Sequence, residues 1–212
     1  MKVVLISGKA QSGKDTTAAI MKGYLESVYN RRVLITHYAD LLKYICKAFF
    51  GWDGNKDERG RSLLQHVGTD VIRKHDPSFL SKFLIRIGTM FDDYWDYVII
   101  PDVRFPNEIS DWRLFGFKVL HVRIERPEFD NGLTDEQKMH QTETALDDTN
   151  HAIPSVDGFG LESTTYGMNL VTKPDFYLQN DGTLDELKNK VIKFTKENIL
   201  VWHTKLKTDT LR

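Results

Sequence analysis

An apolar run, Val3-Val4-Leu5-Ile6, passes directly into G-K-A-Q-S-G-K-D-T at residues 8–16 and then into a segment of helical periodicity. A buried strand must therefore end, turn tightly and continue as a helix within a few residues, and Gly8 and Gly13 supply the backbone freedom for that turn. Successive backbone N–H groups and the helix N-terminus then face one small volume, where Lys14 adds a positive charge. That arrangement cradles a polyphosphate, so Gly8, Ser12, Gly13, Lys14, Asp15 and Thr16 are expected to hold a nucleoside triphosphate. The usual pattern has Ser or Thr after the lysine; here Asp15 stands in that place and Thr16 follows. A carboxylate is a hard oxygen ligand, which makes Asp15 a candidate for Mg²⁺, directly or through water.

Strand and helix patterns alternate along the rest of the chain. Ala18, Met21, Tyr24, Leu25 and Val28 continue the first helix, which Asn30-Arg31-Arg32 closes, and Val33 to Thr36 reads as a strand. Leu41, Leu42, Ile45 and Phe49 mark a helix ending at Gly51; a polar loop over 53–57 precedes helical spacing that resumes near Ser62. Asp76-Pro77 reads as a helix start, Tyr97 to Ile100 as a buried strand, Pro106 to about Leu114 as a short helix, and Phe117 to Ile124 as a strand. Phe176 to Leu178 supplies a last strand, and Thr183 with Glu186 has capping-box spacing before the final helix, beyond which the chain ends in a basic tail. Such alternation predicts an α/β fold with a mainly parallel sheet covered on both faces and its ligands at the carboxyl ends of the strands. Residues 125–173 interrupt the rhythm with a polar, glycine-containing excursion, read as a functional lid rather than a disordered segment.

Lys and Arg (29) nearly balance Asp and Glu (30), which argues against the broad basic surface of a nucleic-acid-polymer binder. Cys46 is the only cysteine, so neither a disulfide framework nor a multi-cysteine metal site is available, and the histidines lack metal-ligand spacing. No apolar run approaches a membrane span and the N-terminal run stops at Ser7-Gly8-Lys9, giving the expectation of a cytoplasmic protein with one enzyme-sized core over residues 1–212.

Three further segments carry chemistry. P-D-V-R follows the strand ending at Ile100: Asp102 is placed to organise Mg²⁺ or water, and Arg104 has the planar fork that suits a phosphate, the alternative being a surface pair that caps the next helix. In Y-A-D-L-L-K, Asp40 is read as a helix cap and Lys43 as facing the cleft. In Q-H-V-G-T-D-V-I-R, Gly68 suggests close approach by a ligand or neighbour and Arg73 is a candidate phosphate ligand, with Gln65 and Thr69 beside it. Arg123 and Arg126 stand at the entrance of the excursion, with His140, Thr142 and Glu143 at its middle, as a closing lid over migrating negative charge requires.

Taken in order, S-G-K-D-T, Y-A-D-L-L-K, Q-H-V-G-T-D, Y-V-I-I-P-D-V-R, V-L-H-V-R followed by R-P, H-Q-T-E and Q-N-D-G-T-L-D-E-L resemble the bacteriophage-type deoxynucleoside monophosphate kinases over roughly residues 1 to 195. The resemblance implies a three-layer P-loop kinase fold of five strands, ATP-Mg²⁺ as donor, a deoxynucleoside 5′-monophosphate as acceptor, and a bacterial or phage-infected cytoplasm. It places Asn180 and Gly182 near the adenine, makes Lys14, Asp102, Arg104 and Arg126 catalytic, gives Asp15 and Asp102 to the metal, and assigns the acceptor to Asp40, Lys43, Gln65, Thr69, Arg73, Arg104, His140 and Glu143. The chain departs from the family pattern in an added Ile-Glu before Arg126 and in an apparent insertion over His151 to Lys173. Kinases of other phosphorylated small molecules (phosphomevalonate, dephospho-coenzyme A) and a non-catalytic ATP-binding regulatory module stay open at this stage, as do base preference and oligomeric state, a homodimer included.

Overall fold

Strand β1 (Lys2–Ser7) is buried along its whole length and lies at the centre of the sheet, so both of its faces have to be apolar. In the computed structural model, which describes residues 1–127, 129–147 and 173–201, five parallel strands run in the order β2-β3-β1-β4-β5: β2 (Val33–Ile35), β3 (Tyr97–Val103), β4 (Lys118–Glu125) and β5 (Phe176–Gln179) complete the set. This is the P-loop kinase-like, three-layer α/β arrangement expected above.

Period-two alternation sorts β1 into two cores. Val4 and Ile6 pack with Ala18, Met21 and Leu25 of α1 (Lys14–Tyr29) and with Leu187 and Val191 of the C-terminal helix Leu184–Phe194. Val3 and Leu5 face the opposite layer, against Tyr38 of α2 (Tyr38–Phe50), Leu80, Leu84 and Ile85 of the helix Phe79–Met90, and Ile109 and Trp112 of the helix Asn107–Leu114. Truncating Leu5 or Ile6 to Ala removes a fully buried side chain and costs about 2–5 kcal/mol.

Most boundaries fall where the sequence puts them, and three differences have physical causes. Strand β3 does not stop at Ile100. Its pairing with β2 ends at Ile35–Ile99 and its register with β1 shifts between Leu5 and Ser7, so Pro101, which has no N–H to donate, is accommodated at an irregularity and the strand continues to Val103. Helix α3 (Glu58–Gln65) starts before Ser62 because Asp57 caps it, accepting from Gly60 N at 2.7 Å, and it widens into a π-helical stretch, His66–Arg73. Helix α4 (Phe79–Met90) begins two residues beyond Pro77, with Asp76 Oδ1 accepting from Ser78 N at 3.0 Å.

Helix α5 (Asn107–Leu114) leads into β4. Two short helices, α6 (Asp135–Met139) and α7 (Gln141–Thr144), occupy the described part of the excursion, and α8 (Leu184–Phe194) opens with the expected Thr183–Glu186 capping box before a π-helical turn, Thr195–Leu200. The expectations for His151 to Lys173 and for the basic tail lie outside the described residues, save for Lys173 itself. Among the described residues no helix is long and apolar enough to cross a membrane.

Candidate active site

The loop between β1 and α1 is held by close backbone packing. Gly8 sits at φ +148°, and a Cβ there would overlap the Ile124 carbonyl oxygen; Gly13 sits at φ +98°, and a Cβ would lie 2.7 Å from Asn180 Nδ2. Asn180 donates from Nδ2 to Ser12 O (3.0 Å) and from its backbone N to Glu125 O (2.7 Å), which ties the loop to the ends of β4 and β5. Lys14 Nζ donates to Gly8 O and Lys9 O at 2.8 and 2.7 Å, closing a ring of loop carbonyls. Burial and then the nearby Arg104 guanidinium lower the Lys14 ammonium to about 8, against the pull of Glu143, Asp15 and Asp102. Ser12 Oγ is buried without a hydrogen-bond partner among the described residues, a polar atom left over beside a curled backbone.

Two clefts meet at this loop. One, of about 360 Å³, is walled by Gly13, Lys14, Asp15, Thr16, Arg126, Asn180, Gly182 and the apolar Leu184 and Leu187. The other, of about 770 Å³, lies over α2 and the π-helical stretch and is lined by Lys43, Gln65, Thr69, Arg73, Asp102 and Arg104, among others. Gln11, Lys14 and Asp15 belong to both.

Asp102 has a structural task in the larger cleft. Its two carboxylate oxygens accept from Tyr38 N (3.0 Å) and Ala39 N (2.9 Å), anchoring the N-terminus of α2. Desolvation, with Glu108 nearby, raises its carboxyl to about 6 although those two N–H groups pull the other way. Gly68 is where α2 approaches: a Cβ would lie 2.8 Å from Leu42 Cδ2, so the glycine serves a neighbouring side chain. Arg104 Nη1 donates to Thr142 O (3.1 Å) and to Glu143 Oε1.

The described part of the excursion, within residues 129–147, lies across the loop. Glu143 Oε2 accepts from Ala10 N at 2.9 Å, Lys9 pairs with Asp147, Arg123 donates to Asp147 Oδ1 and Leu146 O at 2.7 Å each, and Gln11 Nε2 donates to Asn131 O. Arg126 donates to Gln11 O at 3.3 Å with its guanidinium 3.5 Å from the Phe129 ring centroid.

The sequence-expected residues thus fall into groups. Lys14, Asp15, Thr16, Arg126, Asn180 and Gly182 share the smaller cleft, while Lys43, Gln65, Thr69, Arg73, Asp102 and Arg104 share the larger. Asp40 and His140 wall neither cleft: Asp40 accepts from His37 N and pairs with Lys43, and His140 accepts from Thr142 N to start α7. Glu143 reaches the loop from the excursion. Two residues escaped the sequence. His37 bridges Asp15 Oδ1 (3.1 Å) and Asp40 Oδ2 (3.2 Å), and Glu108, 1% exposed, holds Arg73. A carboxylate in the first turn after Pro106 was the visible signal for Glu108; the spacing of His37 gave none.

Exposed on the rim of both clefts, Asp15 suits a hard cation, and among the described residues no cluster of three His, Cys, Asp or Glu side chains exists to cage one. That donor set fits Mg²⁺ held by one or two carboxylates, water and substrate phosphates.

A sequence model of the family described as deoxynucleotide monophosphate kinase matches residues 50–156. The deoxynucleotide monophosphate kinase of Enterobacteria phage T4 is 29% identical over 133 residues, 62% of this chain and 43% of that protein, so the chain spans less than half the length of the relative. Among solved structures, Mycobacterium tuberculosis APS kinase CysC in complex with AMPPNP and APS aligns over 92% of this chain and 98% of its own at 15% identity and TM-score 0.46. The crystal structure of APE1195 aligns over 93% and 96% at 14% identity and TM-score 0.44.

Proposed function

Because the chain belongs to the deoxynucleotide monophosphate kinase family, we propose that it transfers the γ-phosphoryl group of ATP to a deoxynucleoside 5′-monophosphate, giving the diphosphate and ADP. The observation that carries this reading is the meeting of two clefts at Lys14 and Asp15. ATP lies in the smaller cleft with its adenine toward Asn180 and Gly182 and its phosphates on the loop N–H groups. The acceptor lies in the larger one, its phosphate toward Arg73 and Arg104.

An oxygen of the acceptor phosphate attacks the γ-phosphorus as the bond to the β–γ bridging oxygen breaks, and that oxygen leaves with ADP. The acceptor is already anionic, so no protein nucleophile is needed and catalysis reduces to positioning and charge compensation. Lys14 leaves the loop carbonyls for the β and γ oxygens, Arg104 and Arg126 offset the remaining charge, and residues 125–173 act as the lid that excludes water. Mg²⁺, when bound, would neutralise the β- and γ-phosphates; Asp15 would hold it, with His37 orienting that carboxylate and Asp102 acting mainly through α2. In this reading residues 1–212 work as one kinase domain in a bacterial or phage-infected cytoplasm, serving deoxynucleotide supply.

The test is ADP formation from ATP-Mg²⁺ with each deoxynucleoside and ribonucleoside monophosphate in turn, with product identification and Lys14→Ala as control. Lys14→Ala keeps the fold and loses about 10³-fold or more in turnover. ATP binding without transfer to any nucleotide redirects the assignment to another phosphorylated acceptor or to a regulatory module.

A further inference from the structure

Arg73 and Arg104 both wall the larger cleft, yet they are held in different ways. The side chain of Arg104 is engaged by Glu143, which comes from the excursion. Arg73 is engaged from inside the fold. Its Nη2 donates to Glu108 Oε1 at 2.7 Å, its Nη1 donates to Gly68 O at 3.2 Å, and the guanidinium rests 4.4 Å from the centroid of the Phe105 ring. The other oxygen of Glu108 accepts from Arg104 N (2.7 Å) and Phe105 N (3.2 Å), and its carbonyl accepts from the Tyr38 hydroxyl at 2.8 Å.

We propose that Glu108 is the positioning residue of the acceptor end, its buried carboxylate fixing the Arg73 guanidinium so that a monophosphate dianion meets a preset fork.

The proposal rests on the reading of the larger cleft as the acceptor site. Several physical points support it. A carboxylate at 1% exposure is retained only where its partners use both oxygens, and here they do. Arg73 is anchored through Nη1, Nη2 and one face, and its Nε is buried with no hydrogen-bond partner among the described residues, so the orientation of the guanidinium is set by Glu108, Gly68 and Phe105. Because Glu108 already offsets the Arg73 charge, Arg73 contributes direction more than net positive charge, and the planar guanidinium is the group whose value depends on direction. The same carboxylate sets the turn carrying Arg104, so one side chain registers both arginines of the cleft.

Steady-state kinetics on the full chain, with the acceptor identified in the wild type, separates this role from a purely structural one. Glu108→Gln keeps the volume and one oxygen for Arg104 N and Phe105 N while turning an amide against Arg73. Its expected effect is a rise of about tenfold in acceptor KM, with ATP KM and melting temperature little changed. In an Arg73→Met background, Glu108→Gln adds less than about twofold, because its route of action is already gone. An unchanged or lower acceptor KM, an equal rise in ATP KM, or effects that multiply in the double variant overturns the proposal. Should Glu108→Gln fail to fold, Glu108→Asp, which keeps the charge but withdraws it from Arg73, carries the same comparison. Absence of transfer to any monophosphate by the wild type overturns the acceptor reading and this proposal together, an outcome visible before any variant is made.

Discussion

In the proposed reaction the loop between β1 and α1 and the segment lying across it face the same nucleotide, but they are held by different forces. The loop is fixed by buried contacts: Gly8 against the Ile124 carbonyl, Gly13 against the Asn180 amide, the buried Lys14 returned to loop carbonyls, and a buried strand behind it. The segment 129–147 reaches the loop through charged and amide side chains, and in the Lys9–Asp147 pair both are over 40% exposed. Buried contacts are little affected by salt, whereas exposed ion pairs are screened within about 10 Å at 0.1 M and contribute about 1 kcal/mol or less each. In the proposed reading a rigid cradle and a releasable cover follow from that difference, with Lys9–Asp147 the exposed pair of the cover and Arg104–Glu143 its more buried one.

Breaking the rigid side has the largest expected effect. Gly8→Ala puts a Cβ into the Ile124 carbonyl oxygen at a φ of +148°, so the loop must shift off β4. A loss of about 2–4 kcal/mol of stability and of at least about 100-fold in ATP affinity is expected, read by thermal melts and calorimetry. Binding within a few-fold of wild type would mean that the loop is not preset. Next comes Lys14, whose ammonium lies near 8 against an ordinary 10.5. As pH rises through about 8 the native enzyme loses this charge, so kcat/KM for ATP falls, approaching tenfold per unit above it. The stability consequence has the opposite sign: between about 8 and 10.5 the unfolded chain binds more protons at this site, so its contribution improves with rising pH.

What the sequence could reveal follows the same division. The loop is legible because its whole logic lies within residues 3–16, in strand, glycines, lysine and helix, and the strands declare themselves through their apolar runs. Continuation of β3 past Pro101 was hidden because it depends on a register shift against β1, a property of the pairing and not of the segment. Glu108 is seen as a first-turn carboxylate, but its partner Arg73 lies 35 residues upstream, and Glu143 stands 133 residues from Ala10. Asp40 and His140 stand apart for the converse reason: local cap chemistry, which the sequence already suggests for Asp40, satisfies both, and neither walls a cleft.

Glu143 sharpens the comparison at intermediate size. Its carboxylate takes Ala10 N and Arg104, two donors that in the proposed reaction belong to phosphate oxygens. Glu143→Gln weakens a competitor in the empty enzyme, so ATP should bind about threefold to tenfold more tightly by calorimetry. Weaker binding would show instead that Glu143 works with the nucleotide and not against it.

The smallest effect tests the cover alone. Desolvation pulls the Asp147 carboxyl upward, but hydrogen bonds from Lys9 and Arg123 outweigh it and hold the group below the usual carboxylate range. Asp147→Asn removes that charge and keeps an acceptor, so global stability should change by less than about 1 kcal/mol. Amide exchange over α6 and α7 should quicken about twofold to threefold at low ionic strength, while β1 and α1 stay protected. At about 0.5 M salt, where exposed pairs are screened in the wild type as well, the two proteins should exchange alike. A difference that survives high salt would show that packing rather than charge holds the segment down, and the contrast between a rigid cradle and an ionic cover would then fail.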